Sequence, residues 1–279
     1  MTSILTNANS MAALQTLRSI DKNMATTQER ISSGLKVGSA KDNAAYWSIS
    51  TQMRAESSSL KVVGETLGMG ASLADVSSTA IEALVDLTKQ VRDRVVAMGE
   101  ATNDGDKIAT ELAELLTQMG ETVDAASFNG ENWLTSTDAT TNILSGVTDG
   151  TLNFIEVALQ VSGDSVDDVV TDLNTAVASL DGTSDGTAIQ TALTAVDAAL
   201  SSLAEFGATF GASSSRIEIQ KNFINSLTDA IDRGVGALVD ADMTEESTRL
   251  QALQAQQQLA VQSLSIANSN SQLILQLFR

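Results

Sequence analysis

The sequence contains no cysteine, no histidine and no proline. Without cysteine, the chain has no disulfide bond, no thiolate nucleophile and no cysteine-based metal site. The lack of histidine removes the usual zinc and haem ligands and the serine–histidine–aspartate triad. Carboxylates, lysines, hydroxyl groups and the single tyrosine, Tyr46, are the catalytic groups that remain, and no constellation of them is recognisable. The sequence therefore predicts a protein that is not an enzyme and that uses no cofactor or metal ion.

Aromatic residues are also scarce, at 3% of the 279 residues, although 43% of the residues are hydrophobic. The apolar positions are filled mainly by alanine, leucine, valine and isoleucine, which pack well between closely spaced helices. Because proline is absent, nothing forces a break in a long helix. These features predict a mainly α-helical fold in which long helices pack on one another.

Negative charge is concentrated in the middle of the chain. The net charge is −19, residues 1–60 carry +2, residues 240–279 carry −2, and the whole excess therefore lies in residues 61–239. This distribution argues against nucleic acid or an anionic membrane as a partner and favours an acidic, solvated outer face. For the middle region taken alone, acidity that merely keeps a soluble protein dispersed is an equally good explanation.

Both ends of the chain carry narrow apolar stripes with helical spacing. The N-terminal stripe comprises Met11, Leu14, Leu17, Ile31 and Leu35, with Ile20 or Met24 between them. The C-terminal stripe comprises Leu250, Leu253, Leu264, Ile274 and Phe278, with polar interruptions at Gln257 and Ser271. A single helix does not hide so narrow a stripe, so the simplest partner of each end is the other end, in a parallel or an antiparallel pair. An ordinary helix packed on its own domain is the alternative.

Between the two ends, the apolar periodicity predicts four helices, and glycine clusters mark the expected helix boundaries. The helices are predicted at residues 43–63, 71–101, 106–127 and 190–235, with glycines at 64–70 and 207–211 as turns or ends and Asp106 as an N-cap. Residues 129–189 are instead rich in glycine, aspartate, threonine and serine, and apolar residues alternate over 152–161. This pattern predicts a small β-hairpin region in the middle of the chain.

Three segments of the sequence resemble bacterial flagellins. They are RISSGLKVGSAKDNAAYWSIS at residues 30–50, FNGENWL at residues 128–134, and FGASSSRIEIQKNFINSLTDAI from residue 210, which is followed by ADMTEESTRLQ and a chain ending in LFR. The YWSIS segment and the short acidic middle are most similar to the short flagellins of alphaproteobacteria. A cytoplasmic helical signalling adaptor, which has a similar composition, is a further alternative. Such an adaptor would have heptad repeats through the middle of the chain, whereas residues 129–189 interrupt them here.

The resemblance implies a layered subunit. Residues 1–40 and 240–279 are expected to form the inner coiled-coil polymerisation domain, residues 41–135 and 190–239 the helical outer domain, and residues 136–189 a short variable hairpin or loop region. The implied function is self-assembly into the extracellular flagellar filament for motility. A hook–filament junction protein, which shares both terminal regions with flagellin, is the alternative.

The resemblance also implies partners. They are other copies of the chain, the flagellar type III export apparatus that passes the unfolded chain, a secretion chaperone, the filament cap and the hook-junction proteins. Gln90, Val91, Arg92, Asp93 and Arg94 are similar to the segment that the innate-immune flagellin receptor recognises, but Gln90 replaces an arginine and Arg94 replaces a leucine. Because Arg94 would place a charge where the receptor expects an apolar anchor, we expect weak or absent receptor activation.

Overall fold

A computed structural model describes residues 7–100, 104–148, 150–181 and 184–277, and describes only the backbone of residue 9 and of residues 270–277. The described elements are α1 (Ala8–Ser33), α2 (Ala44–Met98), α3 (Gly105–Ala125), β1 (Thr140–Thr148), β2 (Thr151–Ala158), α4 (Val166–Val177), α5 (Gly186–Val239) and α6 (Met243–Leu277). The structure confirms a mainly α-helical fold with helical terminal segments and a small β-hairpin in the middle.

The chain divides into two compact units. The terminal unit contains Met1–Ser57 and Asp229–Arg279, and the central unit contains Ser58–Thr228. The terminal unit has nine basic and ten acidic residues, a net charge of −1, whereas the central unit has seven basic and 25 acidic residues, a net charge of −18. The division that the resemblance implies, at residues 40/41 and 239/240, concerns layers of a filament and stays a prediction.

Helix α2 is continuous, so the prediction that it breaks at residues 64–70 was wrong. A glycine inside a helix costs only about 1 kcal/mol relative to alanine, and tight packing against a neighbouring element offsets this cost. A Cβ atom on Gly70 would lie 2.8 Å from Cδ1 of Ile143, so this glycine allows strand β1 to approach α2 closely. The predicted turn at residues 207–211 was wrong for a similar reason, because α5 runs through it and a Cβ atom on Gly207 would lie 3.6 Å from Cγ2 of Ile81.

The central unit is built on an antiparallel pairing of α2 and α5. The Arg92 Nε atom lies 2.7 Å from Oδ1 of Asp197, and the Ser214 hydroxyl donates a 3.2 Å hydrogen bond to Oδ1 of Asp75. Aromatic rings fill the core beside this pair, with centroids 5.9 Å apart for Trp133 and Phe210 and 6.1 Å apart for Phe206 and Phe210. Among the described residues, the three buried aromatic rings, those of Trp133, Phe206 and Phe210, all lie in the central unit.

A tight turn positions Trp133 in this core. Asn129 and Gly130 have φ angles of 53° and 87°, which suit a two-residue hairpin turn with both residues in the left-handed region. The backbone groups of Phe128 and Glu131 close the turn with hydrogen bonds of 2.9 and 3.1 Å. Trp133 follows this turn and is 4% exposed.

The β-hairpin lies where the alternation of apolar residues predicted it. Strands β1 and β2 are antiparallel, with Thr148 opposite Thr151 and Thr140 opposite Ala158, and the register shifts between Leu144 and Gly146.

Helix α3 begins at Gly105 and is preceded by Asp104, so the prediction of Asp106 as the N-cap was wrong. Asp106 lies instead in the first turn, where a negative charge also suits the helix dipole.

Helix α4 was not predicted from the sequence. Its buried residues, Val166, Val170, Leu173 and Val177, recur every three or four residues, but the glycine- and aspartate-rich surroundings obscure this short pattern. The Ser165 side chain accepts a hydrogen bond from the backbone N–H of Asp168, and the Asp168 side chain accepts one from the backbone N–H of Ser165, which forms a capping box. The N–H and O–H donors of Ser165 hold the pKa of Asp168 below its ordinary value.

Replacing the cap, Ser165→Ala, is expected to lower the free energy of unfolding by about 1 kcal/mol near neutral pH. Because the folded-state pKa of Asp168 is lowered, its contribution is present above the unfolded pKa of about 3.9 and is lost as the pH falls through the folded value. Urea unfolding measures the difference in free energy of unfolding between the variant and the unmodified chain. This difference should therefore be smaller at strongly acidic pH than at neutral pH. Thr175→Ala, at an exposed position of the same helix, is the control. Its difference in free energy of unfolding from the unmodified chain should not decrease in acid.

Candidate assembly surface

Helices α1 and α6 lie antiparallel in the terminal unit. Near the start of α1, the Asn7 side-chain amide donates a 3.1 Å hydrogen bond to the carbonyl oxygen of Ala267. Near its end, Nη1 of Arg30 lies 3.0 Å from Oε1 of Glu246. As the residue number rises along α1, the partner's number falls along α6. Of the two arrangements that the sequence left open, the structure has the antiparallel one.

The contact between these helices, here called the seam, has the heptad spacing of a coiled coil. Its buried and half-buried residues are Ser10, Ala13, Leu17, Ile20, Met24, Thr27 and Ile31 on α1, and Glu246, Leu250, Leu253, Gln257, Ala260, Leu264 and Ala267 on α6. Four of them are buried: Ile20 and Leu253 are each 8% exposed, Glu246 is 4% exposed and Thr27 is 3% exposed. Gln257 adds a 2.8 Å hydrogen bond from its side-chain amide to Oδ1 of Asp21. The seam of a single chain is therefore thin and partly polar.

The ten residues predicted to drive polymerisation do not all lie in the seam. Leu17, Ile31, Leu250, Leu253 and Leu264 belong to it.

The other five predicted residues lie elsewhere. Met11 and Leu14 follow seam positions by one residue and remain 65% and 38% exposed. Leu35 lies beyond the end of α1 and packs against a cluster of valines. Ile274 belongs to α6, where only its backbone is described, and Phe278 lies outside the described residues.

A short connection fixes the end of α1 against the junction of α5 and α6. Gly34 ends α1 with a φ of 72°, and its N–H donates a 2.8 Å hydrogen bond to the carbonyl of Arg30. The backbone N–H groups of Lys36 and Val37 both donate to the carbonyl of Val239, at 2.7 and 3.2 Å. Val37 and Val239 are also buried together in the valine cluster. Local backbone geometry thus holds the seam at this end.

A buried carboxylate closes the same end of the seam, and no local sequence pattern indicated its burial. Glu246 is 4% exposed, and its Oε1 atom accepts hydrogen bonds from Arg30 at 3.0 Å and from Arg249 at 3.2 Å. Among the described residues, its Oε2 atom is buried without a hydrogen-bond partner. Removing one partner of a buried ion pair usually costs more than the pair contributes, because a charge is left uncompensated. Arg30 and Glu246 therefore fix the register of α1 against α6.

Several large apolar residues remain exposed beside the seam. On α6, Leu259, Val261 and Ile266 are 64%, 52% and 56% exposed, and together with Met11 and Leu14 they are called the outer apolar residues. The three on α6 lie outside the one narrow stripe that the sequence predicted, because α6 carries apolar residues on several faces. Apolar groups that form a contiguous exposed patch mark sites of protein association. The terminal unit leaves five large apolar side chains exposed on α1 and α6 in a single copy of the chain, where other copies can contact them.

The receptor-like segment lies on α2 in the central unit. Val91 is fully buried, whereas Gln90, Arg92, Asp93 and Arg94 are exposed. The hydrogen bond and charge of Asp197 raise the pKa of Arg92. Nε of Arg94 lies 2.9 Å from Oε2 of Glu111. The side chains that this segment offers to a partner are therefore all polar, and its apolar member faces the core.

The described part of the chain shows no cluster of three or more aspartates or glutamates that could hold a metal ion. None of the helices searched in that part is long and apolar enough to span a membrane.

Comparison with known proteins agrees with the resemblance. Residues 4–139 match the family model described as the bacterial flagellin N-terminal helical region, and residues 193–278 match the bacterial flagellin C-terminal helical region. Flagellin C of Rhizobium meliloti strain 1021 is 41% identical over 320 aligned residues, and the flagellin of Brucella melitensis biotype 1 is 42% identical over 281. Both alignments cover 100% of this chain and of the relative.

Among solved structures, a Vibrio parahaemolyticus chain assigned as a flagellar hook-associated protein has a TM-score of 0.56. It is 14% identical, and the match covers 71% of this chain and 100% of that one. The crystal structure of Bacillus cereus flagellin matches with a TM-score of 0.47 and 18% identity, over 57% of this chain and 88% of its own. At these identities, the first of the two shows a common fold.

Proposed function

Because this chain belongs to the bacterial flagellin family, we propose that its terminal unit polymerises and that its acidic central unit surrounds the resulting core. The chain is a structural subunit of the extracellular flagellar filament, and it serves motility. Its full-length relatives are named flagellin, and a fold shared with a hook-associated protein does not favour the hook–filament junction alternative.

The observation that carries this proposal is the exposed apolar surface beside the seam. Full burial of a leucine, isoleucine or methionine side chain contributes about 1.5 to 3 kcal/mol, so contacts with neighbouring copies over the outer apolar residues can stabilise a polymer. Contacts between different surfaces of successive copies generate a helical filament when the rotation from one copy to the next does not close into a ring. We assign residues 1–40 and 240–279 to the inner coiled coil, 41–135 and 190–239 to the outer helical domain, and 136–189 to the variable hairpin region.

Filament assembly from purified protein is the experiment that tests this function. Salt is expected to promote assembly, because screening weakens repulsion between central units that each carry −18, whereas the terminal units carry only −1. Electron microscopy and sedimentation across a series of salt concentrations measure the effect. Assembly that is strongest at the lowest ionic strength would contradict an acidic outer layer, and a chain that forms no filaments at any salt concentration would contradict the function.

Mild acid is also expected to promote assembly, and strong acid to reverse it. Mild acid neutralises part of the acidic central unit. The backbone N–H groups of Glu245 and Thr244 at the start of α6 donate to Asp242 and lower its pKa. Its stabilising contribution is therefore present above the unfolded pKa and is lost as the pH falls through the lower folded value. As the pH is lowered, turbidity should first rise and then fall. Asp242→Asn should make the fall in turbidity at strongly acidic pH shallower.

We further infer that the chain leaves the cell unfolded through the flagellar type III export apparatus, with a secretion chaperone, and assembles between hook-junction proteins and a filament cap. The absence of cysteine and proline supports this route, because a chain that folds far from the cell then meets no disulfide or proline-isomerisation step. We propose no catalytic activity, since the family is structural and the sequence has no histidine or cysteine.

We predict that the filament subunit activates the innate-immune flagellin receptor weakly or not at all. The reason is that Arg94 carries a charge, already paired with Glu111, where the resemblance indicates a leucine. A reporter-cell assay with purified monomer measures the response, and Arg94→Leu together with Gln90→Arg should increase it. A response of the unmodified chain equal to that of an enterobacterial flagellin would contradict the prediction.

A further inference from the structure

Methionine is the side chain that mild oxidants attack most readily in this protein, because the chain has eight methionines and no cysteine. An oxidant must reach the sulfur atom, so exposed methionines react first. Met11, on α1, is 65% exposed, whereas Met69 and Met243 are 54% and 45% exposed. Met98 and Met119 are buried in the central unit. Met11 is therefore the most exposed methionine among the residues whose side chains the structure describes.

Met11 belongs to an apolar flank of the pair formed by α1 and α6. Met11 and Leu14 each follow a seam residue by one position, and they lie one turn apart on α1. Because the two helices are antiparallel and both right-handed, residues that follow a seam residue by one position lie on the same side of the pair in both helices. Val261 follows Ala260 in this way and is 52% exposed. We call Met11, Leu14 and Val261 the methionine flank.

The register of the seam places the members of the methionine flank at neighbouring heights. The Ser10 hydroxyl donates a 2.6 Å hydrogen bond to Oδ1 of Asn268. In the register that this contact sets, Val261 lies opposite Leu17, which is one turn beyond Leu14. At a rise of about 1.5 Å per residue, the flank is a strip about 9 Å long.

The methionine flank lies in a part of the pair that is nearly free of charge. The sequence has no lysine, arginine, aspartate or glutamate in residues 1–17 or in residues 250–278, and Arg18 borders the flank at its inner end. Oxidation of a methionine replaces its apolar thioether with a polar sulfoxide and disrupts contacts that depend on the thioether. Burying a sulfoxide without a hydrogen-bond donor also costs free energy. A sulfoxide at Met11 therefore opposes burial of this flank.

We propose that Met11 is a modification site at which oxidation by a peroxide hinders a free subunit from joining the filament, an inference that rests on the proposed function. With hydrogen peroxide, the thioether sulfur attacks one peroxide oxygen, the S–O bond forms as the O–O bond breaks, and the second oxygen leaves as water. The sulfur loses two electrons and the peroxide gains them. The product is methionine sulfoxide, which methionine sulfoxide reductases convert back to methionine.

Peptide mapping measures the oxidation of each methionine. Monomer is treated with hydrogen peroxide for increasing times, the reaction is stopped with catalase, and mass spectrometry of the digested chain gives the oxidised fraction at each site. Met11 should react at least as fast as Met69 and Met243, and several-fold faster than Met98 and Met119. In filaments, oxidation of Met11 should be several-fold slower than in the monomer, because neighbouring copies cover it.

Two results of this mapping have different meanings. Filaments in which Met11 is oxidised as fast as in the monomer would overturn the proposal, and the chain would still be a filament subunit. Absence of filaments from the untreated chain would instead overturn the proposed function.

The critical concentration for assembly measures the consequence of oxidation. Treatment of the unmodified monomer should raise it by about 10-fold, and a pair of reductases, one for each sulfoxide epimer, should restore it. Met11→Leu keeps an apolar side chain of similar volume, so this variant should assemble normally before and after treatment. Met69→Leu is the matched control and should be as sensitive to peroxide as the unmodified chain. A Met11→Leu chain that is equally sensitive, or an oxidised unmodified chain that assembles normally, would overturn the proposal.

Met11→Gln tests the proposal without an oxidant. Glutamine is similar to methionine sulfoxide in length and carries a polar oxygen near the same position, so this variant should also raise the critical concentration by about 10-fold. Thr16→Gln, at an exposed position on the opposite flank of α1, is the control and should assemble normally. Circular dichroism should show the same helix content for both monomers and for the unmodified chain, because both sites are exposed. A Met11→Gln chain that assembles at the normal critical concentration would overturn the proposal.

Discussion

A chain reduced to residues 41–239 is expected to be folded, soluble and monomeric and to form no filaments. The central unit keeps its buried aromatic core of Trp133, Phe206 and Phe210, whereas the seam and all the outer apolar residues are removed. Loss of Val37 uncovers Val235 and Val239, so the truncated ends of α2 and α5 should fray without unfolding the central unit.

Circular dichroism, analytical ultracentrifugation and electron microscopy test this truncation together. A single cooperative melting transition, a monomer in sedimentation and no polymer at any salt concentration are the expected results. Filaments made by the truncated chain would contradict assignment of polymerisation to the terminal unit. A truncated chain that is unfolded would show that the central unit depends on the terminal one.

Leu253→Asp is expected to eliminate filaments and to separate α1 from α6. Leu253 is 8% exposed in a seam with few buried residues, and an unpaired carboxylate at such a position costs several kcal/mol. Helix content measured by circular dichroism should fall in the monomer, while the main melting transition of the central unit stays in place.

Ile266→Asp distinguishes the seam from the outer apolar residues. Because Ile266 is 56% exposed in the single chain, this change should block assembly and leave the helix content of the monomer unchanged. Ser201→Asp, which adds the same charge at an exposed position of α5, is the control and should assemble. If Ile266→Asp formed filaments at the normal critical concentration, the outer apolar residues would have no part in the polymer.

The periodicity of the sequence predicted the helices well, but the glycines were misleading about where they end. A glycine cluster looks alike whether it stops a helix or admits a neighbour, and only tertiary packing distinguishes the two. Gly70 lies within α2 because Ile143, 73 positions later in the sequence, fills the space beside it. Gly34, in contrast, does end a helix, and its left-handed backbone conformation is the reason.

The candidate site was predictable where it depends on spacing and unpredictable where it depends on distant partners. Leucines such as Leu17 and Leu253 were found because they recur every three or four residues. The pairing of Arg30 with Glu246 joins residues 216 positions apart, and no local pattern indicates it.

The antiparallel seam determines how the terminal unit responds to a pulling force. Because Asn7 lies beside Ala267, the two helices begin and finish their contact at the same end of the pair, toward the chain termini. A force that draws one terminus away from the other therefore loads one pair of residues at a time, as in opening a zipper, and does not shear the whole contact at once. Such an opening reaches the ion pair between Arg30 and Glu246 last. The contacts of this unit therefore open in sequence from the termini toward the junction of α5 and α6, and not all at once.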